Sequence, residues 1–200
     1  ANVFSMMGYF TPYVFLPKYA SIERGIPESR TVFLVSVIGV SNTICRFASG
    51  WITKIPSMSP LLVNNVGLMI GGGLTLLVPL CQTYSHFMVY CFIWGAFAAF
   101  HMSLSPIIVC QIVGLELYSS ALSLILMFRG VATLAAPPIL GATRDITGSF
   151  ATAFIISGFA FIISSLMHFS LNWMDRSNKV EIDETNKAKE FQENSVEAGV

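Results

Sequence analysis

The sequence predicts an all-α integral membrane protein that crosses the bilayer as six helices. Three observations lead to this expectation. Hydrophobic residues make up 54% of the chain and charged residues only 11%, where an ordinary soluble domain carries about 25% charged residues. Between Thr31 and Thr143 only Arg46, Lys54, Glu116 and Arg129 are charged. Such a surface is too poor in charge for water but suits lipid. The apolar residues also fall into stretches near the length a spanning helix needs, about 20 residues.

The first stretch, residues 1–19, holds Gly8, Pro12 and Pro17 and is expected to be bent. The second covers 31–53, the third 61–81 and the fourth 86–112. The fifth covers 119–140, where Gly130, Pro137 and Pro138 are expected to weaken or kink the helix. The sixth covers 150–173. Short connectors separate them, with Ser59-Pro60, Gly141 and Gly148 as punctuation. Trp51, Tyr84, Tyr118 and Trp173 fall near the expected water–lipid boundaries, where amphipathic rings are favoured. Gly71, Gly72 and Gly73 in the third stretch, and Gly95, Ala98 and Ala99 in the fourth, permit close contact between helix backbones.

Residues 1–173 form the expected bundle and carry a balance of +3; residues 174–200 carry −3. That tail is polar, acidic and poor in aromatics, so disorder is expected. The opening residues already read as membrane sequence and lack the basic region of a signal peptide. The expectation is that further sequence precedes Ala1. Charge alone leaves the orientation open: Lys18, Arg24, Arg30 and Arg144 lie on one side, and Lys54, Arg176, Lys179, Lys187 and Lys189 on the other.

Several functions are disfavoured. No basic stripe could follow a phosphate backbone, so nucleic acid is not an expected partner. No HExxH, GxSxG or P-loop pattern occurs, so enzyme activity, a metal and a cofactor are not expected. Cys45, Cys81, Cys91 and Cys110 form neither a CxxC pair nor a disulfide framework and read as buried small hydrophobes. His86 and His168 lie near helix ends, where solvation is the ordinary role. His101 lies inside the fourth stretch with Ser105 one turn later, and is a candidate for a polar pathway.

The second stretch has a polar stripe. Ser36, Gly39, Asn42 or Thr43, Arg46, and Ser49 or Gly50 recur at steps of three and four, which places them on one helical face. A polar face at bilayer depth is expected to look inward, toward protein or water. Arg46 lies about 12 Å from the helix end at 1.5 Å per residue. It either faces that path or snorkels to the surface. Arg129 is deeper, about 15 Å from either end of its helix. No ionisable residue in its own helix can pair with it. Its expected partner is a substrate anion or a residue in a preceding part of the protein, the second case being a structural ion pair.

These residues resemble the monocarboxylate transporter family of the major facilitator superfamily. Gly8-Tyr9-Phe10 through Pro12-Tyr13-Val14-Phe15-Leu16-Pro17 looks like the family's seventh helix. Val40-Ser41-Asn42-Thr43-Ile44-Cys45-Arg46 with Gly50 looks like its eighth. Gly114-Leu115-Glu116 through Phe128-Arg129-Gly130, Pro137-Pro138, Gly141, Asp145 and Thr147-Gly148-Ser149 resembles the loop before the eleventh helix, that helix and its exit.

The resemblance implies the C-terminal half of a twelve-helix plasma-membrane carrier with its C-terminus in the cytoplasm. It also implies a substrate site between the two halves near the midplane. The implied partners are a small organic anion or zwitterion, the N-terminal six-helix half, the bilayer and, as in some relatives, a single-pass ancillary glycoprotein. Arg46, Asn42, Arg129, Ser36 and His101 become the candidate substrate or gating residues. Gly50, Glu116, Gly130, Pro137, Pro138, Gly141, Asp145 and Gly148 become structural motif residues. Proton-coupled members of the family have an Asp where this chain has Asn42. An amide carries no proton at physiological pH, so this departure counts against proton–lactate symport and favours the orphan or creatine-like branch. The rival readings are a receptor or scaffold that keeps the carrier fold without transport, and a membrane enzyme.

Overall fold

A computed structural model describes residues 1–52 and 59–170. The expected acidic tail, Lys54, Trp173 and the last residues of the sixth stretch lie outside the described residues.

Proline sets the shape of the first span. Pro12 has no N–H to give the Gly8 carbonyl. The segment accordingly divides at Phe10 into α1 (Asn2–Tyr9) and α2 (Thr11–Lys18). The Thr11 hydroxyl bonds the Met7 carbonyl at 3.3 Å and lies 2.6 Å from the Ser157 hydroxyl. Pro17 repeats the interruption, and the helix widens into a π turn over Tyr19–Glu23. The expected bend is therefore a break and a widened exit.

α3 runs over Glu28–Ile52. α4 (Pro60–Leu77) begins on a proline, whose missing N–H costs nothing at a first helical position. A 3₁₀ turn, Val78–Leu80, follows it. α5 spans Tyr84–Thr147 and α6 spans Ala151–Ser170. Among the described residues four helices, α3 to α6, are long and apolar enough to cross a membrane.

The 64 residues of α5 would reach about 96 Å if straight, roughly three hydrocarbon thicknesses. They are not straight. Gly114 has φ 74° and ψ 172°, a conformation that side chains exclude. Arg129 bonds Ser105 across that glycine, whereas a straight helix would hold those two residues about 36 Å apart. The limbs 84–113 and 115–147 thus fold back on each other and stand where the fourth and fifth spans are expected. Among the described residues the first expected stretch is divided into α1 and α2, the second, third and sixth are α3, α4 and α6, and the fourth and fifth are the two limbs of α5. The expected weak point at Gly130, Pro137 and Pro138 is absent as a break: the backbone stays helical through all three. Limb 115–147 ends at Gly148, in the left-handed region, whose N–H bonds the Arg144 carbonyl at 2.7 Å.

Lipid supplies no hydrophobic drive between helices, so close packing and hydrogen bonds must hold them. Gly72 and Gly158 let α4 meet α6, each placing a would-be Cβ 3.0 Å from the other's carbonyl oxygen. Gly8 accommodates the Phe161 ring, and Gly95 lies against the Ile38 backbone. Gly73 has open space, so not every glycine of that run packs a neighbour. Trp94, Phe87, Phe154, Tyr19 and Leu16 fill the core. Ser165 donates to the Asn65 carbonyl at 2.9 Å, and Ser41 to the Phe92 carbonyl.

One end of the bundle is stapled by two neighbouring charges. The Glu23 carboxylate accepts from the Ser149 hydroxyl at 2.8 Å and from the Phe150 N–H, at the start of α6. Arg24 donates to the Tyr19 hydroxyl at 2.7 Å and to the Pro79 carbonyl.

Packing at Gly95 yields a first expectation. A Cβ there would sit 2.7 Å from the Ile38 carbonyl oxygen, so α3 must move to admit it. Gly95→Val is expected to destabilise the bundle by about 1–3 kcal/mol, the usual cost of overpacking. Gly130→Ala, where nothing lies within 4 Å, is expected to be tolerated. Thermal unfolding in detergent compares the two; equal midpoints would remove Gly95 from the packing account.

Candidate functional site

The candidate residues separate into a buried group and an exposed one. Arg129 belongs to the first. It lies on limb 115–147 with Ala132, Ala136 and Leu140, the spacing of one helical face, and all four are buried. The small side chains let this limb approach α1. The Arg129 guanidinium donates to Asn2 Oδ1 through Nε at 3.1 Å and Nη2 at 2.6 Å. Nη2 also donates to the Ser105 hydroxyl. The described acids are Glu23, Glu28, Glu116 and Asp145, all in connectors or near helix ends. A buried cation is thus met here by neutral dipoles of its own chain. The expectation had looked for its partner outside this sequence.

His101 lies one turn from Ser105 and is 3% exposed. Its Nδ1 is 2.8 Å from Asn64 Oδ1. Among the described residues Nε2 has no hydrogen-bond partner, and neither has the side-chain amide of Asn65. His101 borders a cavity of about 10 Å³ with Tyr9, Trp94, Phe97 and Phe161, room for one water-sized group. It lies within electrostatic reach of Arg129 and of His168. His168 corrects an expectation: it is buried, not solvated, with Nδ1 2.8 Å from the Ser164 carbonyl. His86 is exposed, as expected. Of the four cysteines expected to be buried only Cys91 is; Cys45 and Cys110, on helices, and Cys81, in the connector after Leu80, are half-buried.

The second group lies along α3. Ser36, Gly39, Thr43, Arg46 and Gly50 are exposed, and Asn42 and Ser49 are buried. The stripe therefore has its polar edge on the uncovered side of this bundle. Helical period determines which residues share a face, but not what covers that face. Arg46 Nε donates to Asn42 Oδ1 at 2.8 Å, and Asn42 Nδ2 donates to the Gly95 carbonyl at 3.3 Å. The arginine is thus held one turn from its anchor, with Tyr13 of α2 within electrostatic reach.

The motif residues have plain positions. Glu116 and Pro138 are exposed, Pro137 is half-buried, and Gly141 has open space around it. Asp145 pairs with Arg144 at 3.3 Å on the surface. Gly148 caps its helix. Among the described residues no cluster of His, Cys, Asp and Glu could hold a metal ion. Sequence reasoning missed Asn2, Asn64 and Asn65. Their only local signal is an amide within an apolar stretch, which does not say what it bonds.

A match to the Major Facilitator Superfamily covers residues 1–137. Monocarboxylate transporter 12-B of Danio rerio is 31% identical over 168 residues, 82% of this chain and 35% of the relative. Human monocarboxylate transporter 10 is 28% identical over 182 residues, 90% of this chain and 35% of the relative. Mouse monocarboxylate transporter 4 is 27% identical over 202 residues, 98% of this chain and 43% of the relative. The chain therefore spans between about a third and under half of the length of these curated relatives. They are transporters rather than enzymes.

Proposed function

Because the chain belongs to the major facilitator superfamily, we propose that it serves in a carrier that moves small monocarboxylates or related organic solutes by alternating access. Residues 1–173 act as one half of a twelve-helix fold, rocking against an N-terminal half. The tail is cytoplasmic and the membrane is the plasma membrane, and a single-pass ancillary glycoprotein is a candidate partner.

The observation that supports this reading best is Arg46. It stands exposed on the polar edge of a membrane-length helix, with Nε anchored by Asn42. A guanidinium fork can take both oxygens of a carboxylate. In this reading Arg46 receives the substrate's carboxylate, with Asn42 orienting it and Ser36 along the path. Arg129 and His101 belong to the buried polar centre that gates the bundle. An exposed Arg46 within a membrane-length helix favours a surface completed by a second half, since a charge facing lipid is costly.

Two measurements test the proposal. Full-length protein in proteoliposomes is expected to show saturable uptake and counterflow of a labelled monocarboxylate. Residues 1–200 reconstituted alone are expected to show none. Binding without flux by the full-length protein would favour a receptor. Saturable flux through residues 1–200 would overturn the half-carrier reading and point to a homodimer of six-helix units.

A further inference from the structure

A second feature lies at the stapled end of the bundle. A cavity of about 450 Å³ opens where the end of α2, the start of α3 and the end of limb 115–147 converge. Lys18, Ser21, Glu28, Thr31, Arg144 and Phe150 contribute to its lining. Its size falls within the range of small-molecule sites, about 300–1,000 Å³. The Arg144 guanidinium is placed over the Phe150 ring at 5.1 Å and also touches Asp145.

The cavity shares its helical face with the candidate site. Along α3, Glu28, Val32, Ser36, Gly39, Thr43 and Arg46 recur at steps of three and four, and all six are exposed. Glu28 and Val32 line the cavity. Arg46 lies 14 residues beyond Val32, about 21 Å along the same face. One uncovered track therefore joins the cavity to the arginine.

We propose that this cavity is a capture site for a carboxylate-bearing solute, at the mouth of the track that leads to Arg46. Lys18 and Arg144 attract the carboxylate. Glu28 sets the limit: it is the acid in the lining, and Asp145 already pairs with Arg144, so a second carboxylate meets a like charge with no free cation to offset it. Like charges brought together in a site cost affinity, and a repulsive group rejects the wrong ligand. The mouth thus favours one negative charge over two. This assignment rests on the carrier reading, but its test does not require transport.

The experiment uses the full-length protein. Ser21, uncharged and in the lining, is changed to Cys, with Cys45, Cys81, Cys91 and Cys110 changed to Ala, and the labelling of the same background that keeps Ser21 is subtracted. Its modification by an anionic reagent, sulfonatoethyl methanethiosulfonate, is compared with that by a cationic one, trimethylammonioethyl methanethiosulfonate. Adding Lys18→Gln and Arg144→Gln is expected to lower the anionic-to-cationic rate ratio about tenfold, the low end of electrostatic focusing. Acetate is expected to slow the modification. Succinate is expected to do so only after Glu28→Gln. An unchanged ratio overturns the capture site, and equal protection by succinate before and after Glu28→Gln overturns the selectivity. Protection by short-chain phosphatidylcholine but not by acetate would make the cavity a lipid-headgroup site and overturn the proposal. Should the four-alanine background fail to insert, the Lys18→Gln, Arg144→Gln pair is read in uptake. There the half-saturation concentration is expected to rise about tenfold and to lose its salt dependence; an unchanged value overturns the site. A protein that moves no carboxylate at all would sink the carrier reading, while the labelling ratio would still judge the mouth.

Discussion

Arg46→Lys in the full-length protein is expected to reach the membrane normally and to lose most of its uptake. Lysine keeps the charge but not the planar fork, so it cannot hold both oxygens of a carboxylate. It also lacks an Nε, and with it the bond to Asn42 Oδ1 that orients the guanidinium. A lost charge-assisted contact in a desolvated site costs about 2–5 kcal/mol, a loss of roughly thirtyfold or more at 1.4 kcal/mol per factor of ten. The alternative is that Arg46 only snorkels. Lysine snorkels about as well, so that reading expects ordinary uptake with unchanged affinity. Surface labelling must accompany the assay, because poor insertion would imitate poor binding. Ordinary uptake by correctly inserted Arg46→Lys would remove Arg46 from the substrate site.

Asn2→Asp is expected to abolish uptake by a comparable factor without unfolding the bundle. Asn2 Oδ1 already accepts two bonds from Arg129. A carboxylate at the same place would turn a cation held by neutral dipoles into a buried ion pair. If Arg129 acts on the anion or on the rocking step, its neutralisation should cost on the order of 2–5 kcal/mol in transport. If Arg129 only ties α1 to the two limbs of α5, the same change leaves transport intact and can even strengthen the tie. Uptake and thermal unfolding measured on one preparation separate these outcomes. Full uptake with a raised unfolding midpoint would leave Arg129 a structural residue. Asn2→Ala is the control for lost hydrogen bonds.

Membrane character and the positions of the apolar stretches were legible in the sequence alone. Both depend on local properties: the mean hydropathy of a window and the length a helix needs to cross lipid. Pro12 and Pro17 announced the disturbed first span for an equally local reason, since each removes a backbone donor. Gly95 and Gly72 announced close packing, because a missing side chain matters wherever two helices touch. The superfamily was also legible, in motifs read residue by residue, and the match over residues 1–137 bears out that part of the resemblance.

Only the tertiary structure decided what each polar residue meets. Arg129 finds Asn2 127 positions away and Ser105 24 positions away. His101 finds Asn64 37 positions away. His168 is buried where its place near a helix end suggested water. The sequence pattern placed Ser36, Gly39, Asn42 and Arg46 on one face of α3. Which edge of that face lies under α5 depended on how the helices pack, and packing buried Asn42 and left Arg46 uncovered. The physical reason is the same throughout. A helix closes its own backbone bonds, so its existence is a local fact. Its side chains are satisfied by whichever helix lies beside it, and that is a property of the assembled bundle.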